Sequence, residues 1–261
     1  MAKPVFICTP GAWHTVECFG KVTRILEEKG FEVHGVNWPS IVRAPVFSTD
    51  DDIATIREAV SKEADGGNDV IVICHSWSAA PVNSAVADLS KAEREKQGKK
   101  GGVVKLVFLC AFVVPEGVSM MDAVGGKPSA LWNIQVHMPL PIIQSTNEVT
   151  LQGDVVYPND PIHHFYQDIP EPDQKYWASK LTAISMSSIN LPTTGAAYKA
   201  IPSHYLICED DNAIPSFAQE AMVKAAQEAG ADMKVDRMKS GHSPFLSHPE
   251  ETADFLIKAA S

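Results

Sequence analysis

The sequence predicts an α/β protein in which a doubly wound, mostly parallel six-stranded sheet carries an inserted helical cap. Short apolar runs alternate with segments whose apolar residues recur at helical spacing, which is typical of a parallel sheet covered on both faces. The alternation stops near residue 113 and resumes near residue 202. A segment of that length is too long for a simple loop, so an insertion is expected. The length of 261 residues suits one domain of this kind.

Six strands are predicted from short runs of β-favouring apolar residues. The third run begins with the four consecutive β-branched residues of positions 70–73, which is typical of a strand buried on both faces. In chain order the predicted strands are residues 5–9, 31–38, 70–75, 103–110, 203–208 and 232–238.

Helices are predicted between these strands from apolar residues at a spacing near 3.6. The first, residues 16–29, ends before Gly30, which serves as a C-terminal stop. The second runs to about residue 64, and Thr49 or Asp50 is expected to cap its first turn. The remaining core helices are predicted at residues 79–89, 216–229 and 250–260.

Residues 113–201 are predicted to form the inserted cap, which leaves residues 1–112 and 202–261 as the core. The cap segment is rich in proline and holds short helical patterns, of which residues 172–181 are an example. It is also rich in aromatic residues. Aromatic side chains above a site favour a small apolar or aromatic ligand.

The formal net charge of −10 argues against nucleic acid or an anionic membrane as the main partner. No apolar run approaches the length of a membrane-spanning helix, and the first residues lead into a predicted strand without a signal peptide. The sequence does not indicate an oligomeric state. A cytoplasmic protein that acts on a small molecule is expected.

The five cysteines lack any C-x-x-C pairing. Four of them, Cys8, Cys74, Cys110 and Cys208, end predicted strands. This placement favours small core side chains in a reducing compartment over disulfides. No spacing of His, Cys and Asp suggests a metal site, so neither a metal nor a cofactor is expected.

A serine stands where the third predicted strand turns into a helix. Ser76 in this position indicates a nucleophile elbow, which lifts a hydroxyl above the edge of the sheet. The usual pattern is G-x-S-x-G, and here Cys74 and Ser78 occupy the glycine positions. Both are small, as the close approach of strand and helix requires.

An acid and a base follow the fifth and sixth predicted strands. Acyl transfer by serine needs a base for the hydroxyl proton and an acid that orients the base. His242 is the best-placed of the nine histidines, and Asp211 is the preferred acid. Asp210 or Glu209 could take its place, and Asp211 could instead cap the helix that follows. The chain order Ser, Asp, His suits a doubly wound hydrolase.

The loop after the first predicted strand is expected to complete an oxyanion hole. Gly11 would let the backbone approach closely. The backbone N–H groups of Ala12 and Trp77 are the predicted donors.

Four motifs together resemble the α/β-hydrolase superfamily, over nearly the whole chain but least in the cap. They are P-G-A-W-H at 10–14, H-S-W-S at 75–78, C-E-D-D-N-A-I-P at 208–215 and S-G-H-S-P at 240–244. The resemblance is greatest to the small-cap branch that contains plant methylesterases, hydroxynitrile lyases and related microbial and fungal esterases. It implies Ser76 as nucleophile, His242 as base, Asp211 as acid, and Ala12 and Trp77 as oxyanion donors.

The same resemblance favours hydrolysis over cyanohydrin cleavage. Lyases of this branch carry threonine at the position of Gly11 and lysine at the position of Ser243. Those groups bind the substrate hydroxyl and stabilise departing cyanide, and neither is present. Possible pocket-lining residues are Gly11, Trp13, Trp132, His163, Phe165 and Ser243.

The leading hypothesis is a cofactor-free serine hydrolase that cleaves a carboxylic ester or lactone through an acyl-enzyme on Ser76. A second is a lyase, cyclase, dehydratase or C–C hydrolase that uses His242 as base without an acyl-enzyme. A third is a non-enzymatic ligand receptor on the same fold.

Overall fold

A parallel six-stranded sheet forms the centre of the computed structural model, which describes residues 3–42, 48–135 and 154–260. The strand order is β2-β1-β3-β4-β8-β9, and each neighbouring pair is parallel. This arrangement confirms the predicted fold class. The strands are β1 Val5–Thr9, β2 Val33–Gly35, β3 Asp69–His75, β4 Gly102–Leu109, β8 Ser203–Cys208 and β9 Met233–Met238.

Helices cover the sheet and fill the connection between β4 and β8. In the part of the chain that the structure describes they are α1 Gly20–Glu28, α2 Pro39–Val42, α3 Thr49–Asp65, α4 Ala79–Ala85, α5 Lys91–Lys96, α6 Met120–Ala123, α7 Pro161–Phe165, α8 Glu171–Lys180, α9 Met186–Asn190, α10 Ser216–Glu228, α11 Pro244–Ser247 and α12 Pro249–Ala259. Short 3₁₀ turns lie at Val16–Phe19, Ser76–Ser78, Ala87–Leu89 and Ala197–Lys199.

The start of α3 corrects one prediction. Ser48, rather than Thr49 or Asp50, is the N-cap, and its hydroxyl accepts a hydrogen bond from Asp50 N at 3.3 Å. The Asp51 carboxylate in turn accepts from Ser48 N at 2.8 Å, which completes a capping box. The reciprocal bonds satisfy two donors at the helix end, so the helix begins one residue after the serine.

The second strand is shorter than predicted. β2 pairs with β1 only from Val33 to Gly35. Beyond it, the chain leaves the sheet because Trp38 turns into the core, where its indole donates to Pro10 O at 2.7 Å.

The segment predicted as an inserted helical cap contains helices, and it also contains a small sheet that was not predicted. Strands β5 Trp132–Gln135, β6 Val155–Pro158 and β7 Ile184–Ser185 pair antiparallel in the order β5-β6-β7. The predicted cap helix at 172–181 is found as α8. Residues 136–153 of the cap lie outside the described residues, and the division into core and cap stays a prediction.

The core is apolar, and the loops at the carboxyl ends of its strands hold the predicted catalytic side chains, Ser76, Asp211 and His242. Cys8, Cys74, Cys110 and Cys208 are buried and free, as predicted, and so is Cys18. Within the described ranges, no helix has both the length and the apolar character needed to cross a membrane. The carboxyl ends of β1, β3, β8 and β9 meet at one edge of the sheet, which is where ligands bind in doubly wound folds.

Candidate active site

Ser76 occupies a strained turn between β3 and α4. Its φ is +55°, in the left-handed region that residues other than glycine rarely adopt. Such a conformation costs about 1–3 kcal/mol and persists only where the surrounding structure enforces it. The turn raises the serine above the end of the strand, as a nucleophile elbow requires.

The hydroxyl of Ser78 explains why the elbow tolerates a serine at a usual glycine position. Ser78 Oγ accepts from His75 N at 2.9 Å and from Thr9 Oγ1 at 2.9 Å. It lies within donating distance of Thr9 O and His75 O, at 3.1 and 2.9 Å. The side chain therefore satisfies buried groups of β1 and β3 instead of separating the strand from the helix.

Ser76, His242 and Asp211 form one chain of hydrogen bonds. Ser76 Oγ donates to His242 Nε2 at 3.0 Å, and His242 Nδ1 donates to Asp211 Oδ2 at 2.7 Å. All three residues are buried. The structure thus brings together three side chains whose numbers lie as far as 166 positions apart. Such a chain can move a proton from the hydroxyl to the imidazole and stabilise the resulting charge.

Asp211 is held rigidly in place. Its Oδ1 accepts from Ala213 N at 2.7 Å and Ile214 N at 2.8 Å, and its Oδ2 also accepts from Gln219 Nε2 at 3.1 Å. Gln219 is completely buried on α10, and the sequence analysis missed it. The sequence did carry a signal for Gln219, because it is a polar residue at a helix position that faces the core.

The two alternative acids are both exposed, unlike Asp211. Glu209 is exposed and pairs with Arg237 at 3.4 Å. Asp210 is also exposed, and its backbone N donates to Ser240 O at 3.0 Å. Of the three carboxylates, Asp211 is the one that accepts from the imidazole of His242.

The loop after β1 packs directly against the elbow. A Cβ built on Gly11 would lie 2.9 Å from Ser76 Cβ and 2.9 Å from His75 Nδ1, so a side chain there requires the neighbours to move. The next residue, Ala12, is buried. The predicted oxyanion loop and Ser76 are therefore close neighbours.

A neutral His75 joins this loop to the backbone of His242. Gly11 N donates to His75 Nδ1 at 3.1 Å, so the ring carries its proton on Nε2 and donates it to His242 O at 2.9 Å. Burial holds the pKa of His75 well below its usual 6.5, and the neighbouring His242 and His14 lower it further. Its position directly before Ser76 was the signal that the sequence offered.

A second neutral imidazole supports the same loop. His14 Nδ1 donates to Ala12 O at 2.7 Å, and Tyr166 Oη donates to His14 Nε2 at 2.8 Å. Burial lowers the pKa of His14 from 6.5 to about 4, against a smaller raising effect of the Ala12 hydrogen bond. The loop is thus held at Gly11 N by His75 and at Ala12 O by His14, two imidazoles that stay uncharged at neutral pH.

A mainly apolar pocket lies over Ser76 and His242. Three predicted lining residues, Trp13, Trp132 and Phe165, belong to it. Sequence reasoning missed most of the rest, of which Phe112 follows β4 and Ile214 follows β8. The lining residues not predicted are Phe112, Met120, Val124, Ser129, Leu131, Ala213 and Ile214.

Three predicted lining residues do not line this pocket. His163 is a correction: its side chain is exposed on α7, and its ring contacts that of His164. Gly11 instead packs behind the elbow. Ser243 is completely buried, and it precedes α11 as the N-cap residue.

The indole N–H of Trp132 in the pocket wall is unpaired within the described part of the chain. Trp132 is 7% exposed, and its Nε1 makes no hydrogen bond to any described residue. Buried indole N–H groups usually find an acceptor. Three other buried indoles do so: Trp13 donates to Val156 O at 2.8 Å, Trp38 to Pro10 O at 2.7 Å and Trp77 to Ser188 O at 3.2 Å.

Trp13 belongs to the predicted oxyanion loop and is hydrogen-bonded to the predicted cap segment. Its φ is +68°, and its indole donates to Val156 O on β6. Its own carbonyl accepts from Thr182 N at 3.0 Å, and its ring stacks on Phe165 with centroids 5.6 Å apart. The conformation of the loop and the packing of the cap segment against it therefore depend on the same residue.

A buried group of potential metal ligands, His75, Cys110 and His242, is already occupied by protein contacts. His75 Nε2 and Cys110 Sγ both donate to His242 O, and both ring nitrogens of His242 are engaged. Burial raises the pKa of the Cys110 thiol well above its usual value, whereas a metal ligand must be a thiolate. These residues do not fit a metal. A second group, Glu32, His34 and Glu63, lies on the surface.

Known proteins match nearly the whole chain. A profile of the Alpha/beta hydrolase family matches residues 5–255. The alpha/beta hydrolase nvfD of Aspergillus novofumigatus is 30% identical, over 100% of this chain and 98% of that protein. A putative chloroplastic methylesterase 11 of Arabidopsis thaliana is 24% identical, over 96% of this chain and 61% of that protein. The crystal structure of polyneuridine aldehyde esterase has a TM-score of 0.76 at 17% identity and is covered completely.

Proposed function

The chain belongs to the Alpha/beta hydrolase family, and from that premise we propose that it is a cofactor-free serine hydrolase of carboxylic esters or lactones. The observation that carries the proposal is the hydrogen-bonded chain from Asp211 through His242 to Ser76, at 2.7 and 3.0 Å. The left-handed conformation of Ser76 supports it independently, because a strained serine at a strand–helix turn is costly without a use.

In the first half of the reaction, Ser76 Oγ attacks the carbonyl carbon of the substrate while His242 Nε2 accepts the hydroxyl proton. The negative charge that develops on the carbonyl oxygen is bound by the backbone N–H groups of Ala12 and Trp77. Each such donor contributes about 3 kcal/mol to the stability of the transition state. The tetrahedral intermediate collapses, and the protonated His242 gives its proton to the leaving alcohol.

In the second half, a water molecule attacks the acyl group on Ser76 after losing a proton to His242. The bond to Ser76 Oγ breaks, His242 returns the proton to the serine, and the carboxylic acid leaves. Asp211 stabilises the imidazolium in both halves and keeps the proton of neutral His242 on Nδ1.

The pocket favours an apolar substrate with one hydrogen-bond acceptor away from the scissile bond. Phe112, Leu131 and Phe165 are typical of its lining. The unpartnered indole N–H of Trp132 is available for an oxygen of the substrate.

Labelling of Ser76 by a fluorophosphonate, with a screen of short-chain p-nitrophenyl esters, methyl esters and lactones, tests the proposal. The parent protein is expected to be labelled and to hydrolyse at least one ester. Ser76→Ala is expected to lose both, whereas Ser179→Ala, which removes an exposed cap hydroxyl, is expected to keep both. Turnover retained in Ser76→Ala, or ligand binding without turnover in the parent, would overturn the proposal.

A further inference from the structure

One short segment of the cap holds both of the loops that carry Asp211 and His242. We call residues 163–168 the clasp. Its polar contacts with these two loops fall on the neighbours of Asp211 and His242 rather than on the two residues themselves. The hydrogen bonds join His164 Nδ1 to Asn212 O at 3.0 Å, Asn212 Nδ2 to His163 O at 3.1 Å, Gln167 Nε2 to Asp210 O at 2.8 Å and Gly241 N to Asp168 Oδ2 at 2.6 Å.

The bond to Asp168 fixes the backbone directly before His242. Gly241 N donates to a carboxylate that is itself partly buried. Hydrogen bonds to an ionised acceptor are shorter and about twice as strong as neutral ones. The peptide before His242 therefore has a firm anchor in the cap.

The clasp side chains pack closely against Gly241. A Cβ built there would lie 2.6 Å from Gln167 Nε2 and 2.8 Å from Asp168 Oδ1, so a larger residue would displace these two side chains. The φ of Gly241 lies outside the left-handed region, so the contact with the clasp rather than the backbone conformation favours glycine here. The two surfaces are thus in direct contact.

The clasp also contains groups that cost stability. Gln167 Oε1 and Asp168 Oδ1 are buried, and neither has a hydrogen-bond partner among the residues that the structure describes. Each unsatisfied buried acceptor costs about 1–3 kcal/mol.

The same segment reaches the substrate pocket. Phe165 lines the pocket, and its ring centroid lies 5.6 Å from that of His242. A substrate that packs on Phe165 consequently touches the segment that holds the acid and the base.

We infer, resting on the proposed hydrolase function, that Gln167 and Asp168 are positioning residues for Asp211 and His242. They fix the positions of the loops that carry Asp211 and His242 relative to each other, so that the His242 imidazole stays within hydrogen-bond distance of both Ser76 and Asp211. An error of about 1 Å in such an alignment costs on the order of 100-fold in rate. Loss of the Asp168 bond is expected to lower kcat about 10- to 100-fold with little change in KM.

Four variants test the assignment with p-nitrophenyl butyrate as substrate. Asp168→Ala removes the acceptor, while Asp168→Asn keeps an amide oxygen that can accept from Gly241 N and should stay within about threefold of the parent. Gln167→Ala removes the bond to Asp210 and should lower kcat about 3- to 10-fold. Lys175→Ala, which removes an exposed cap ion pair with Glu171, should leave kcat unchanged. Thermal unfolding by circular dichroism identifies any variant that fails to fold.

A second measurement does not depend on turnover. The proton between His242 Nδ1 and Asp211 should give a downfield ¹H NMR resonance, assigned by its loss in His242→Gln. We expect this resonance to shift or broaden in Asp168→Ala and to be retained in Asp168→Asn. If Asp168→Ala does not fold, Gln167→Ala gives the same test.

The outcomes separate the two proposals. A parent protein without fluorophosphonate labelling or hydrolysis contradicts the hydrolase function, and the resonance still decides the role of the clasp. A labelled, active parent whose folded Asp168→Ala and Gln167→Ala variants keep the parental kcat and resonance would overturn the assignment of the clasp alone. A loss of activity that Asp168→Asn does not restore would overturn it as well.

Discussion

Acidification should weaken the fold through His14, the imidazole behind the proposed oxyanion loop. In the folded chain His14 is buried and neutral, with its Nε2 occupied by the hydroxyl of Tyr166. Its pKa lies at about 4, against 6.5 for the exposed side chain. Between these two values the unfolded chain binds a proton that the folded chain does not. Stability from this residue is therefore complete above pH 6.5 and falls as the pH is lowered toward 4.

The magnitude follows from the two pKa values. The shift of about 2.5 units corresponds to roughly 3.4 kcal/mol over the whole range, and to about 2 kcal/mol between pH 7 and pH 5. His75 acts in the same direction, because burial lowers its pKa as well. Protonation of His14 would also break the bond from Tyr166 and place a cation close to the imidazoles of His75 and His242.

Asp52 opposes this effect and must be separated from it. Burial raises the pKa of its carboxyl from 3.8 to about 6, so the folded chain binds the extra proton between those values. Stability from Asp52 therefore rises by roughly 1.3 kcal/mol when the pH falls from 7 to 5. The pH dependence of the parent protein alone is ambiguous, whereas the difference between the parent and a His14 variant isolates the histidine.

Urea unfolding followed by circular dichroism at pH 7 and pH 5 measures that difference. In His14→Gln the amide can still donate to Ala12 O and accept from Tyr166, but it does not titrate. This variant is expected to lose about 2 kcal/mol less stability than the parent on acidification. His163→Gln, which removes an exposed imidazole, is the matched control and should keep the parental dependence. Equal losses in His14→Gln and the parent would refute the reasoning.

Three other substitutions test the support of the site. Gln219→Met keeps the shape of the side chain but removes its hydrogen bonds to Asp211 and to the backbone. It should lower the unfolding free energy by about 2 kcal/mol, or Tm by roughly 4–8 °C. An unchanged Tm would contradict the role of Gln219 as a support of Asp211. Ser78→Ala leaves His75 N without its acceptor and should cost about 1–3 kcal/mol in urea unfolding, unlike the exposed-site variant Ser179→Ala. Trp132→Phe should lower kcat/KM about 3- to 10-fold for esters with a distal acceptor oxygen and leave purely alkyl esters unaffected; equal effects on both would argue against the free indole as a substrate contact.

The core strands were predictable because strands buried on both faces consist of continuous runs of apolar residues. β1 and β8 have the predicted bounds, and all residues of both are buried. β2 could not be bounded from its own residues, since the position of Trp38 in the core ends it. The cap sheet has no comparable pattern. β7 is two residues long and pairs with a strand almost thirty positions earlier, so local propensity carries little information about it.

The residues brought together above the sheet were predictable for a different reason. Ser76, Asp211 and His242 each follow a strand of a parallel sheet, so the topology directs them to one edge. Their supports follow no such rule. Tyr166 contacts His14 across 152 positions, and Gln219 reaches Asp211 from the inside of a helix. These bonds depend on how the cap and α10 pack, which spacing along the chain does not encode.

The double attachment of Trp13 has a consequence for protein engineering. Because its indole is bonded to β6 and its carbonyl to Thr182, the cap is not a module that can be exchanged at its two ends. A chimaera carrying the cap segment of a relative would give this tryptophan new hydrogen-bond partners and, through it, a different conformation of the proposed oxyanion loop. Transplanting substrate preference between relatives would therefore require moving the loop and the cap as one piece.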